Sequence, residues 1–503
     1  MSARVTSGRR GWRIMLAALV ALAALAGCAQ TPPPISNPGL SPSPASHDWT
    51  QFGYDAARSG DNTAETTLTT TTVGGLTKLW QVRLPGVADS SPILLHALSF
   101  PGGARDVLYV TTRDGRLLAL DASNGALLWQ KQPGGPKITH SSPVAGPTRQ
   151  HIYAYGLDGY VHRYDAITGA ERVGGGWPAR ITLMTQTEKE SSALNIANGR
   201  LYVTTSGYIG DAPPYQGHVV TVDLQTGAER VFNSLCSNLT HLLTASECAS
   251  EQSGIWGRGG AVVDPVTGDI FAATGNGPYN ADTGGADYGD SILKLSPDGS
   301  RLLDSFTPED HHQLNVNDLD LGSMAPALLP RVAASATPLM LAQGGKDGQL
   351  RLINRENMSG QGGPGHVGGA LQTIQTGCGF YSQPAVWTDP ASRQPWIAVS
   401  NTCGLIVYRL ATSADGVSRL ERVWRDTAAR ITTPVYANGA LYGAESGALR
   451  VWDATTGRRP WSSDQSGAGG SIGGIHWESP IVVDGAVYIS DENGALTCYG
   501  LKA

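Results

Sequence analysis

One pattern recurs along most of the chain and limits what it can become. DVLYVTTRDGRLLALDASNGALLW, from Asp106 to Trp129, is two alternating strands joined at Asp114-Gly115, a second turn at Asp121 to Gly125, and a third strand ending in Trp129. The pattern returns from His151, Gly199, Gly268, Leu339, Trp396, Gly439 and Gly485, giving eight copies. D-G and N-G hairpins between alternating runs are the strongest short-range hairpin signal. One such sheet leaves its edges and an apolar face unsatisfied, so the copies must stack, and radial stacking around a channel protects the edges. The expected fold is all-β, an eight-bladed β-propeller. KLWQVRLPG, around Trp80, reads as an outer strand with no inner strands before it, while the last copy ends at Tyr499-Gly500-Leu501 with no outer strand after it. The N-terminal strand is therefore expected to complete the last blade and close the ring.

The first residues address the compartment. MSARVTSGRRGWRIMLAALVALAALAGC carries Arg4, Arg9, Arg10 and Arg13, then an apolar run, then small residues before Cys28, which reads as a secretory signal peptide over residues 1–28. Leu25, Ala26, Gly27 and Cys28 resemble the lipobox of bacterial lipoproteins, which implies lipidation at Cys28. Residues 29–48, rich in Pro and Ser, read as an extended tether, and the propeller is assigned to residues 49–503. This organisation predicts an extracytoplasmic monomer, lipid-anchored on the periplasmic side or at the cell surface, that meets the membrane through its anchor alone. A net charge of only −6, with no basic stripe, argues against nucleic acid as a partner. In an oxidising compartment Cys236 with Cys248, and Cys378 with Cys403, are expected disulfides, with Cys498 left as a buried thiol.

The D-A-x-T-G…W form of the repeat, seen at Asp121-Gly125-Trp129, Asp165-Gly169 and Asp453-Gly457-Trp461, resembles the repeat of the pyrroloquinoline-quinone (PQQ) propeller family. That family contains quinone-dependent alcohol dehydrogenases and non-catalytic lipoproteins such as the outer-membrane assembly factor. The stretch IWGRGGAVVDPVTGDIFAATGNGPYN, with SILKLSPDGSRLLDSFTPEDHHQLNVNDLDLG after it, resembles the middle of the quinoprotein alcohol dehydrogenases. The resemblance implies that Asn276 is a calcium ligand, Trp256 the floor beneath the quinone, Asp320 the general base and a metal neighbour, and Lys346 the cation beside the quinone oxygens. The chemistry suits those roles: calcium takes hard oxygens, a carboxylate can take an alcohol proton, and an indole face carries a planar cofactor. The family's further calcium ligand, a Glu, falls at about Ile209, with Asp211 nearby as a substitute ligand. ADSSPILL stands where the family has an adjacent cysteine pair, and without a CxxCH haem motif electrons would leave to a separate acceptor.

Other candidates are weaker. His311-His312, read as extended, would point to opposite faces and could not share one ion. His476 and Glu478 in GGIHWESP are expected to line the channel. Two functions follow: oxidation of an alcohol or sugar with PQQ and calcium, or a non-catalytic binding or scaffold lipoprotein that engages envelope proteins.

Overall fold

In the computed structural model the chain is described over residues 47–502, except 133, 136, 137, 209 and 210. The signal peptide, Cys28 and nearly all of the tether lie outside the described residues, as does Ile209. Among the described residues no helix is long and apolar enough to cross a membrane.

Eight sheets follow one another around a ring, each an antiparallel meander whose first strand is innermost, with Asp61–Asn62 added in parallel beside Val435–Ala437 of the seventh. Blades 1 to 7 span residues 93–131, 144–180, 188–233, 262–306, 327–375, 385–426 and 435–462. Blade 8 takes its three inner strands from residues 481–501 and its outer strand from Leu76–Arg83, which pairs antiparallel with Ala495–Leu501. The expected clasp is therefore the closure of the ring. Inner strands such as Val107–Val110 are fully buried, because each is covered on both faces by neighbouring blades. Disulfides join Cys236 to Cys248 and Cys378 to Cys403, and Cys498 is a buried free thiol. One local expectation fails: His311–Val316 is a short helix rather than an extended segment.

The D-A-x-T-G…W repeat is explained by how blades dock. Trp129, on the outer strand of blade 1, donates its indole N–H to the Ala166 carbonyl in blade 2 (3.2 Å). Trp80 reaches Ala122 (3.1 Å) and Trp424 reaches Ala454 (2.8 Å) in the same way. The turn that receives Trp129 is shaped by Asp165, whose Oδ1 accepts from the Thr168 N–H, and closes on Gly169 at φ +65°. A Cβ on Gly169 would lie 2.7 Å from the Trp129 ring. Gly169→Ala thus combines a left-handed backbone with a steric clash and should destabilise by about 2–4 kcal/mol. Gly175→Ala, at φ +59° in open space, carries the backbone strain alone and should lose less. Equal losses in urea unfolding would remove the docking explanation.

Residues 49–62, which carry no repeat, close one end of the channel. Trp49 pairs with Leu94 of blade 1, and the Thr50, Ala56, Ser59 and Gly60 carbonyls accept from Ala145, Val263, Val386 and Tyr436 of blades 2, 4, 6 and 7. The Gln51 amide oxygen accepts from Ile196 of blade 3, and Asn62 donates to Val482 of blade 8. At the centre of this plug sits Arg58, fully buried, with all its hydrogen bonds to backbone carbonyls.

Candidate functional site

The other end is the mouth, where the connections into each innermost strand meet the turns between second and third strands. Asn276 follows the second strand of blade 4, Asp320 precedes the first strand of blade 5, Lys346 lies in a turn of blade 5, and Trp256 lies on the path into blade 4. The fold brings all four together. Asp320, buried, accepts the Asn276 backbone N–H on Oδ1 (2.6 Å) and the Trp256 indole N–H on Oδ2 (3.2 Å). The Lys346 ammonium lies 2.7 Å from Asp320 Oδ2 and 2.7 Å from Asp318, and 5.4 Å from the centre of the Trp256 ring. Trp256 is half-buried, flanked by Tyr381 and Trp477 at 6.4 and 6.2 Å between ring centres.

TGNGPYN is more than a turn in this setting. The Asn276 carbonyl accepts from the Ser253 N–H (2.7 Å), so its backbone is pinned on both sides while its side-chain amide makes no hydrogen bond among the described residues. Gly275 is required by contact: a Cβ there would sit 2.9 Å from Asp320 Oδ1 and 3.2 Å from Trp256 Nε1. Asp211, at φ +47°, accepts from the Tyr215 hydroxyl (2.8 Å). Asp290, beneath the cluster, accepts the Leu321 N–H (3.0 Å) and leaves Oδ2 unpartnered.

Burial dominates the electrostatics. It raises Asp320 above the usual carboxylate range, against the pull of Lys346. Burial would lower Lys346, but Asp320 and Asp318 outweigh it and hold the ammonium above its ordinary value. Asp290 is pushed up to about 8 by burial, with the Asp320 charge adding to the rise.

Below the mouth runs a polar ring that sequence reasoning missed. Each innermost strand is preceded by a related tetrapeptide, among them Asp89-Ser-Ser-Pro92, His140-Ser-Ser-Pro143, Glu190-Ser-Ser-Ala193, Arg258-Gly-Gly-Ala261 and Trp477-Glu-Ser-Pro480. Its hydroxyls tie neighbouring blades, as Ser142 does by accepting from the Ser91 N–H (2.9 Å). The small, proline-terminated motif was the available signal; its first residue varies in chemistry from blade to blade, which hid it. Several of its polar atoms are buried with no hydrogen-bond partner among the described residues: Arg258 Nε and Nη2, and Glu478 Oε1. A ring of such groups requires water or a polar ligand in the channel.

Glu190 is raised to about 8, burial outweighing its Ser141 hydrogen bond and the charges of Arg258 and Lys189, and Asp61 in the plug is raised to about 7 by burial. The folded protein therefore retains protons that the unfolded chain has released well below pH 6. Stability should fall as pH rises from about 6 to about 8. Denaturant midpoints should show this slope, and Glu190→Gln should make it shallower while Asp61 and Asp290 keep the remainder; an unchanged slope in that variant would assign the effect elsewhere.

Fold and mouth together define a closed, eight-bladed propeller with an aromatic floor and a buried carboxylate–ammonium pair at one end. A family model described as outer membrane protein assembly factor BamB matches residues 64–252. Quinohemoprotein alcohol dehydrogenase ADH IIB of Pseudomonas putida is 25% identical over 392 residues, 71% of this chain and 49% of that protein. The chain thus spans about half the length of this curated relative. Among solved structures, quinohemoprotein alcohol dehydrogenase ADHIIG from Pseudomonas putida HK5 matches with TM-score 0.65 at 14% identity, covering 91% of this chain and 80% of that one. The quinohemoprotein alcohol dehydrogenase from Comamonas testosteroni matches with TM-score 0.62 at 14% identity, covering 91% and 81%. The chain is an eight-bladed β-propeller similar in its repeats to the PQQ-repeat proteins, among them BamB and the quinoprotein alcohol dehydrogenases.

Proposed function

We propose that the protein is an extracytoplasmic, lipid-anchored quinoprotein oxidoreductase that takes hydrogen from an alcohol or sugar hydroxyl, with PQQ and calcium at the channel mouth. The observation that carries this reading is the convergence on Asp320 of the Asn276 N–H, the Trp256 N–H and the Lys346 ammonium. The residues suit the cofactor: a half-exposed indole face with an ammonium over it, an uncommitted Asn276 amide, and a glycine where a side chain would crowd Asp320. Asn276 and Asp320 offer hard oxygens for calcium, the rest of its six to eight ligands coming from cofactor and water. Bound PQQ would supply a two-electron acceptor. Asp320 Oδ2 receives the hydroxyl proton, its basicity raised by burial, while Lys346 presents positive charge beside it. Electrons then pass to a separate acceptor. Residues 1–28, ending in Cys28, support export and anchoring.

A second reading, a non-catalytic envelope-binding lipoprotein, is favoured by two contacts. Lys346 already closes on Asp320 and Asp318, and Asp211 is engaged with Tyr215 rather than offered to Asn276. Titration with PQQ, with and without calcium, followed by tryptophan fluorescence, separates the two. Calcium-dependent quenching that disappears in Asn276→Ala and Trp256→Phe supports the oxidoreductase. No quenching at micromolar PQQ supports the binding protein, and pull-downs of envelope proteins become the next step.

A further inference from the structure

We propose that the mouth also carries a transition-metal site, of the zinc class, held by Asp89, His140 and His476. These residues sit on the connections into blades 1, 2 and 8, so the ion would tie three blades across the seam where the ring closes. Their ligand atoms are already gathered: Asp89 Oδ2 lies 2.7 Å from His140 Nδ1 and 2.8 Å from His476 Nδ1.

Hydrogen bonding alone explains this gathering poorly. The same Asp89 oxygen also receives Arg113 Nη2 at 2.7 Å, so three nitrogens crowd one atom. His476 Nδ1 makes a hydrogen bond to it (2.8 Å), but the shorter His140 contact is off-line, and His140 Nδ1 is buried without an aligned partner. A tetrahedral ion with bonds of about 2.0–2.2 Å to each ligand would use that nitrogen. A further donor stands at hand: Glu478, fully buried, leaves Oε1 unpartnered, and a Glu478 oxygen lies within 4.8 Å of Asp89 and Glu492 ligand atoms. Glu492 is held by Arg113 (2.6 Å).

Ligand chemistry selects the ion. Two imidazoles with carboxylates suit zinc, copper or nickel, whereas calcium prefers an all-oxygen shell. His476 is exposed, which gives the ion a route in from solvent. None of these residues belongs to the Asn276–Asp320 cluster, so the inference stands apart from the proposed oxidoreductase function.

The full, untagged chain, stripped by a chelator, is titrated with zinc by calorimetry and with cobalt by visible absorption. One zinc per chain at micromolar affinity or tighter is expected, with a tetrahedral cobalt spectrum and little competition from calcium. His476→Ala, at an exposed position, should weaken zinc at least ~10-fold and abolish the cobalt bands, as should His140→Gln, with an unchanged urea midpoint showing that both variants fold. Asp320→Asn should leave both signals unchanged. The inference is overturned by the absence of saturable binding, by wild-type affinity in His476→Ala, or by loss of binding in Asp320→Asn.

Discussion

Asp320→Asn should lower kcat for PQQ-dependent alcohol oxidation by about 10²–10⁴-fold, the range for removing a positioned general base. The substitution keeps the size of the side chain, and its one remaining oxygen can still accept the Asn276 N–H that Asp320 now holds at 2.6 Å. What it removes is the proton-accepting oxygen beside Lys346. kcat should fall more than PQQ affinity, because the Asn276 loop keeps its anchor, whereas loss of Oδ2 leaves the Trp256 indole N–H without its acceptor and lowers the charge offered to calcium, so binding weakens in part. Lys346→Met should behave differently: it strips the countercharge from a buried carboxylate, so cofactor binding and turnover should fall together. Turnover by Asp320→Asn equal to wild type would make Asp320 a backbone anchor for the Asn276 loop and nothing more.

The repeat was legible in the sequence because hairpin turns and alternating strands are local, and eight copies average out the noise of any one. The clasp could be read for the same reason: Leu76–Arg83 is an outer strand without a blade, and residues 481–501 are a blade without an outer strand. Site legibility came from resemblance rather than pattern. Asn276 and Asp320 are 44 residues apart, and no period predicts that the backbone N–H of one meets the carboxylate of the other. Two features were hidden for physical reasons. The polar ring is built from positions equivalent in the fold but unlike in chemistry, so Asp89, His140, Glu190 and Arg258 share no composition signal. The plug has no repeat at all, since WTQFGYDAARSGDN makes hydrogen bonds to seven different blades.

That plug yields the largest expected effect on stability. Arg58 Nε donates to the Gly259 carbonyl (3.1 Å), Nη1 to Phe52 (2.6 Å), and Nη2 to Ala193 (3.0 Å) and Leu194 (2.8 Å). One guanidinium thus joins the plug to the entries of blades 3 and 4, and burial lowers its pKa to about 9. Arg58→Ala leaves four carbonyls without their donor and should destabilise by about 3–5 kcal/mol. Arg58→Lys should recover little, because a single ammonium cannot span carbonyls arranged for a planar fork. Arg58→Met separates the two contributions, filling most of the volume with no donor. If the hydrogen bonds decide, Met should unfold at nearly the same urea concentration as Ala, and proteolysis between Trp49 and Asn62 should accelerate in both. The effect should also reach the mouth, since the Gly259 carbonyl that Arg58 holds lies three residues from Trp256. Wild-type stability in Arg58→Met would mean that Trp49 and Phe52, by packing, hold the plug in place.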